Sequence, residues 1–183
     1  MSEIDRLLVR YKEQIAIPWG TIRSSTERTI FVIYDRNKER QLRYRCGSFE
    51  DVTREADKKW LLLDVTDSFT SWFAVHDYRD EYFKHPGDLP GYLEGRLEEF
   101  EDHLVKSLAL ELKEKATPEH CVAVLGVGSL YGIASVSAVM KRVASAVPGR
   151  LVIFFPGEKI ENNYRLLGAR DGWDYLATAI TAD

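Results

Sequence analysis

The sequence predicts an α/β fold: a mostly parallel central sheet of about four to five strands, with helices on both faces. Three observations predict it. Continuous apolar, β-branched runs recur along the chain, which suits strands buried on both faces. Amphipathic stretches at helical spacing lie between those runs. The 183 residues suffice to bury a full core in one domain spanning 1–183, and neither an internal repeat nor a low-complexity segment divides them.

Residues 3 to 16 read as a helix, since Ile4, Leu7, Leu8, Tyr11 and Ile15 recur at helical spacing. Ser2 with Asp5 can form its capping box. Pro18–Trp19–Gly20 ends it, and residues 1–17 are also a candidate partner-docking arm. The run Thr29 to Tyr34 is the first strand. Leu42, Cys46, Phe49, Val52 and Ala56 mark a second amphipathic helix, and Trp60 to Leu63 the next strand. Asp67 or Ser68 can cap a short helix carrying Phe69, Trp72 and Phe73. Residues 76 to 91 read as irregular, with Pro86, Gly87, Pro90 and Gly91. The longest helix is expected near 92 to 115, with a stripe of Leu93, Leu97, Phe100, Leu104, Leu108 and Leu112. Val122 to Leu125 is a third strand. A glycine-rich turn, Gly126 to Gly132, feeds a helix near 133 to 146 that Pro148–Gly149 closes. Leu151 to Phe155 is the fourth strand, and Tyr175 to Ile180 an expected edge strand.

Composition narrows the function. A hydrophobic share of 45% with 30% charged residues is that of a globular domain. A net charge of -4 and a pI near 5.7 do not mark a general nucleic-acid or membrane-surface binder. Two cysteines, Cys46 and Cys121, are too few for a secreted disulfide scaffold. Met1 to Asp5 is acidic, unlike a signal peptide, and no apolar run reaches the length of a membrane span. The expected location is the cytoplasm.

The strand–glycine loop–helix at Gly126 is the most suggestive candidate site. Backbone amides at a helix start can hold an anion. Gly126, Val127, Gly128, Ser129, Tyr131 and Gly132 would form the cradle, with Pro156, Gly157 and Glu158 beside it. The spacing matches neither a P-loop, which needs a following lysine, nor a dinucleotide fingerprint, since Tyr131 stands where the third glycine belongs. The plainer reading is a tight turn whose glycines allow positive φ or close packing; a partner-docking loop is a third. Asp35, Asp64 and Glu158 follow strands and could meet a Mg²⁺ ion or merely cap helices; no cofactor or metal site is assigned. Ser129 is the one serine placed like a nucleophile, with no histidine assigned to activate it. Among His76, His85, His103 and His120 no metal-ligand spacing occurs, and both cysteines read as core residues.

Charge is segregated. Residues 36 to 59 hold eight Lys/Arg and five Asp/Glu, and residues 77 to 115 six and eleven. Glu94, Glu98 and Asp102 form a like-charge row. Either these are solvated faces, or the acidic segment docks a basic partner. Arg36, Arg40 and Arg43 could touch phosphate or pair with acids. Trp19, Trp60, Trp72 and Trp173, with Tyr78, Tyr82, Phe83 and Tyr92, exceed what a minimal core needs and divide between core and interface.

Gly126–Val127–Gly128–Ser129–Leu130–Tyr131 after a strand, then Phe154–Phe155–Pro156–Gly157–Glu158 and Tyr164–Arg165–Leu166–Leu167–Gly168, resembles the BrxB family of the bacteriophage exclusion (BREX) defence system. Arg40 to Phe49, Trp60 to Thr66, Phe69 with Trp72, Tyr78–Arg79 and Tyr82–Phe83 extend the resemblance over most of the chain. The resemblance implies a component without established enzymatic activity and with no family catalytic residue to carry over. It implies an adaptor that links a PglZ-like phosphatase-superfamily protein to a BrxC-like AAA+ ATPase. Association with a PglX-like methyltransferase and only indirect contact with DNA go with it. The alternative expectation is a degenerate nucleotide- or phosphate-binding domain using Gly126–Gly132.

Overall fold

A computed structural model describes residues 1–21, 24–77, 79–160, 163–173 and 177–183, with the backbone alone at 21 and 169–173. The expected α/β class holds. Helix α1 (Glu3–Ile15) precedes strand β1 (Thr29–Tyr34), α2 (Glu39–Glu55) and β2 (Lys59–Asp64). Three short helices follow, α3 (Ser68–Ala74), α4 (Arg79–Lys84) and α5 (Leu89–Leu93), then α6 (Leu97–Lys115) and β3 (His120–Leu125). Then come α7 (Val136–Ala146), β4 (Arg150–Ile160), β5 (Asn163–Leu166), β6 (Ala169–Trp173) and β7 (Thr178–Ile180).

Five strands run parallel in the order β2-β3-β4-β1-β7. Side chains alternate between two apolar layers. Ile30, Val32, Ala123, Val152 and Phe154 pack under α1 and α2. Phe31, Ile33, Val122, Val124, Ile153 and Phe155 pack against α3, α6 and α7. Burial on both faces is why these strands read as unbroken apolar runs.

Helix α1 starts as the sequence predicts: the Ser2 hydroxyl accepts from the Asp5 amide, and the Asp5 carboxylate accepts from the Ser2 amide. Its stripe of Ile4, Leu7, Tyr11 and Ile15 is fully buried, so α1 is a layer of the core. An arm would have only its outer face, Val9 included, to offer. Between α1 and α2 the Tyr11 hydroxyl meets Thr53 Oγ1 at 2.6 Å and Cys121 Sγ at 3.3 Å.

Several expectations need correction. Asp67 stands at the start of α3 without a side-chain cap bond. The segment 76–91 is not irregular; α4, a 3-10 turn at Pro86–Asp88 and the start of α5 occupy it. The long helix begins at Leu97, because Gly95 turns the chain at φ 78. Glu94 therefore lies off the helical row, and Asp102 pairs with Arg142 at 2.8 Å instead. The helix expected from 133 starts at Val136, behind Ser135, whose side chain accepts from the Ala138 amide. Strand β4 continues to Ile160: as far as Pro156 it pairs with β1, and from Gly157 it forms an antiparallel hairpin with β5. The turn Leu167–Gly168, with φ 52 and 91, joins β5 to β6. The edge strand is shorter than expected, Thr178–Ile180. Tyr175, Tyr78 and the Trp173 side chain lie outside the described residues.

Candidate functional site

In an open parallel sheet the ligand crevice forms where chains leaving adjacent strands pass to opposite faces. Here that point lies between β1 and β4. The chain leaving β1 enters α2 on one face. The chain leaving β4 enters the hairpin, whose Tyr164 and Leu166 belong to the other. A cleft of about 670 Å³ opens there, lined by Arg6, Tyr34, Asp35, Arg36, Glu158 and Lys159 among others.

The structure therefore divides the expected site. Asp35, Gly157 and Glu158 reach the cleft, whereas the loop Gly126 to Gly132 does not line it. That loop closes on itself as a 3-10 turn over Val127–Leu130. The amides of Ser129 and Tyr131 donate to the Gly126 and Gly128 carbonyls. Ser129 Oγ donates to the Gly126 carbonyl at 2.8 Å. Among the described residues no histidine bonds to it. The loop and Pro156 do touch: a Cβ on Gly128 would stand 3.1 Å from Pro156 Cγ. Close packing is thus the role of Gly128, whereas a Cβ on Gly132 would meet nothing within 4 Å. Gly157 has no room for a side chain, since a Cβ there would collide with the Arg165 carbonyl of β5.

Most of the cleft's charged groups are already engaged. The Asp35 amide donates to Glu3 Oε1 at 2.8 Å, and Asp35 Oδ1 accepts from the Asn37 amide. Arg36 donates to the Leu167 carbonyl and Arg6 to the Ala182 carbonyl. Glu158 stands 4.0 Å from Arg165. The lining offers charged groups of both signs together with Asn37 and Thr181. Asp64 lies elsewhere. Among the described residues no group of three His, Cys, Asp or Glu could hold a metal ion.

Asp64 belongs to a chain of bonds that ties the strand ends together. The Tyr34 hydroxyl donates to Glu39. Glu39 accepts from Arg43 Nε at 2.7 Å. Arg43 reaches Asp64 at 3.2 Å and the Thr66 hydroxyl at 2.7 Å. Thr66 in turn donates to Asp64 through both its amide and its hydroxyl. Burial opposes ionisation of Asp64, but the Thr66 donors and the Arg43 guanidinium outweigh it and hold the carboxyl below its usual range. A depressed carboxyl pKa stabilises the fold above the unfolded-state value and ceases to do so as pH falls through the folded one. Acid unfolding of the wild type below about pH 4 is therefore expected to be steeper than that of Asp64→Asn. Parallel curves in a pH series of thermal melts would remove Asp64 from that role.

The three arginines of 36–43 do not form one patch: Arg36 points to the hairpin, Arg43 to β2, and Arg40 is exposed. Sequence reading missed the cleft's α1 residues, Glu3 and Arg6. It also missed the Tyr34–Glu39 bond, although Glu39 and Arg43 stand at the spacing of a helical ion pair. Both cysteines are buried, and burial pushes the thiol of Cys46 up to about 11 and that of Cys121 up to about 12. Neither is a thiolate nucleophile at neutral pH.

The aromatic surplus divides as well. Trp72, Phe73 and Phe100 are buried; Tyr82 and Tyr92 pack at 4.5 Å between ring centres. Phe83 and Val75 remain exposed, at 72% and 78%. Fold and cleft together define a doubly wound α/β domain with a polar crevice at its switch point. Compared with protein families, curated proteins and solved structures, the chain matches none of them. No helix among the described residues is long and apolar enough to cross a membrane.

Proposed function

We propose that this chain is a non-enzymatic adaptor of a BREX phage-defence complex, linking a PglZ-like protein to a BrxC-like ATPase. The BrxB-like motifs support the system. The observation that supports the adaptor role is the self-closed glycine loop, in which the Ser129 hydroxyl and the Ser129 and Tyr131 amides are spent on backbone carbonyls. A surface suited to protein docking accompanies it. Phe83 of α4 is exposed among charged residues of both signs, Asp80 paired with Arg79 and Glu81 with Lys84, an apolar side chain with a charged margin that suits a protein partner. On this reading the PglX-like methyltransferase joins through the same complex, and DNA is met only indirectly.

Affinity capture of the tagged chain from an intact operon tests this. Recovery of the PglZ-like protein and the ATPase is expected, reduced by Phe83→Asp. Recovery of neither removes the adaptor reading. Calorimetry with ATP, ADP and GTP, with and without Mg²⁺, tests the alternative of a phosphate-binding domain. Saturable heat at millimolar nucleotide, abolished by a change at Gly128, would replace the adaptor reading with that one.

A further inference from the structure

Strand β2 has one neighbour, β3, and so forms an edge of the sheet. The amides of Lys59 and Val65 turn toward β3, donating to the Glu119 and Leu125 carbonyls. By alternation the N–H and C=O groups of Trp60, Leu62 and Asp64 turn outward. Among the described residues, nothing pairs with these outward backbone groups. Edges are ordinarily protected by charged side chains, proline, a bulge or very short length, and on β2 charge stands only at the two ends, Lys59 and Asp64. The other edge, β7, is three residues long. By contrast, β2 runs six residues, pairs with β3 without a register shift, and carries the apolar run Trp60 to Leu63 with Leu62 39% exposed.

We propose that a second copy of this chain occupies that edge, paired antiparallel through β2 about a two-fold axis at Leu62. Two observations choose this occupant. The outward-facing residues must pair with one another, and of the two-fold registers that achieve this the one centred on Leu62 engages all three, setting Leu62 against Leu62 of the partner subunit and Trp60 against Asp64 of the partner subunit. The strand is also charge-polarised: Lys58 and Lys59 precede the apolar run, and Asp64 and Asp67 end or follow it. Antiparallel pairing brings the basic start of one copy alongside the acidic end of the other, whereas parallel pairing would align like charges. The result is one continuous sheet across two copies, independent of the adaptor reading.

Sedimentation across a concentration series tests it. The wild type is expected to rise from 21.0 kDa toward twice that mass. Leu62→Pro removes an N–H that serves only the outer edge and leaves the β3 ladder intact; Leu62→Lys places a charge on the symmetry axis. Both variants are expected to stay at the single-chain mass with unchanged circular dichroism. In the wild type, hydrogen exchange at the Trp60 and Leu62 amides should slow with concentration, while exchange in β7 should not. The proposal is overturned by a wild type that keeps the single-chain mass throughout, or by folded variants that dimerise as the wild type does. If the variants fail to fold, concentration-independent exchange at Trp60 and Leu62 overturns it alone.

Discussion

Gly126→Ala is expected to lower the unfolding free energy by about 3–4 kcal/mol. Gly126 has φ 86, a left-handed conformation that costs an L side chain roughly 1–2 kcal/mol. The added Cβ would also fall on Thr66 Oγ1 and within 2.9 Å of both Asp64 Oδ1 and the Thr66 amide. One of those atoms is backbone, so the turn after β2 must shift. That shift loosens the bonds from Arg43 to Asp64 and Thr66, and bonds to charged groups contribute about 1.5–3 kcal/mol each. Gly132 is the internal control. Its φ is 74, yet a Cβ there meets nothing within 4 Å, so Gly132→Ala should cost only the conformational part, about 1 kcal/mol. Urea unfolding of both variants checks this. Equal losses would mean that Gly126 is needed for its φ alone and not for its approach to Thr66.

Arg150→Met is expected to cost about 3 kcal/mol. Arg150 opens β4 and is 3% exposed. Its guanidinium donates to the Gln14 carbonyl at 2.6 Å and the Ile17 carbonyl at 3.0 Å, and lies 5.3 Å over the Trp19 ring. These carbonyls sit at the C-terminal end of α1, where backbone acceptors lack helical partners and the helix dipole favours a cation. Removing the side chain leaves the Ile17 carbonyl without a donor among the described residues and the Gln14 carbonyl with only backbone amides, and a buried unpaired acceptor costs about 1–3 kcal/mol. Arg150→Lys keeps the charge but not the fork, so about half the loss is expected. The effect should also be local. Native-state hydrogen exchange of Arg150→Met should open the last turn of α1 before the sheet. Uniform loss of protection across the molecule would mean that Arg150 supports the core at large.

The site was only partly legible in the sequence. Asp35 stands where the sequence puts it, at the end of β1, because an apolar run that stops at a polar residue marks that end locally; Gly157 and Glu158 reach the cleft from within β4, which runs on to Ile160. Nothing local says that β1 and β4 are neighbours, so the cleft between them, with Arg6 contributed by α1, could not be assembled. The spacing of the glycine loop approaches a phosphate motif. Its packing role depends on Thr66 and Pro156, residues far away in the chain. The β5–β6 hairpin was missed because its turn is Leu167–Gly168, which lacks the asparagine or aspartate that flags such turns.

What the sequence by itself determined is the class of fold and the elements that carry it. Runs such as Thr29 to Tyr34 satisfy burial on two faces, and the Ser2–Asp5 cap with its apolar stripe specifies α1, all within a few residues of chain. Tertiary structure alone decided the order of the strands. Trp60 to Leu63 has the composition of a central strand and yet stands at the edge, with β3 on one side and half its backbone groups turned away from it. Composition reports how apolar a segment is. Its neighbours are chosen by contacts across the whole chain, and those leave no local pattern to read.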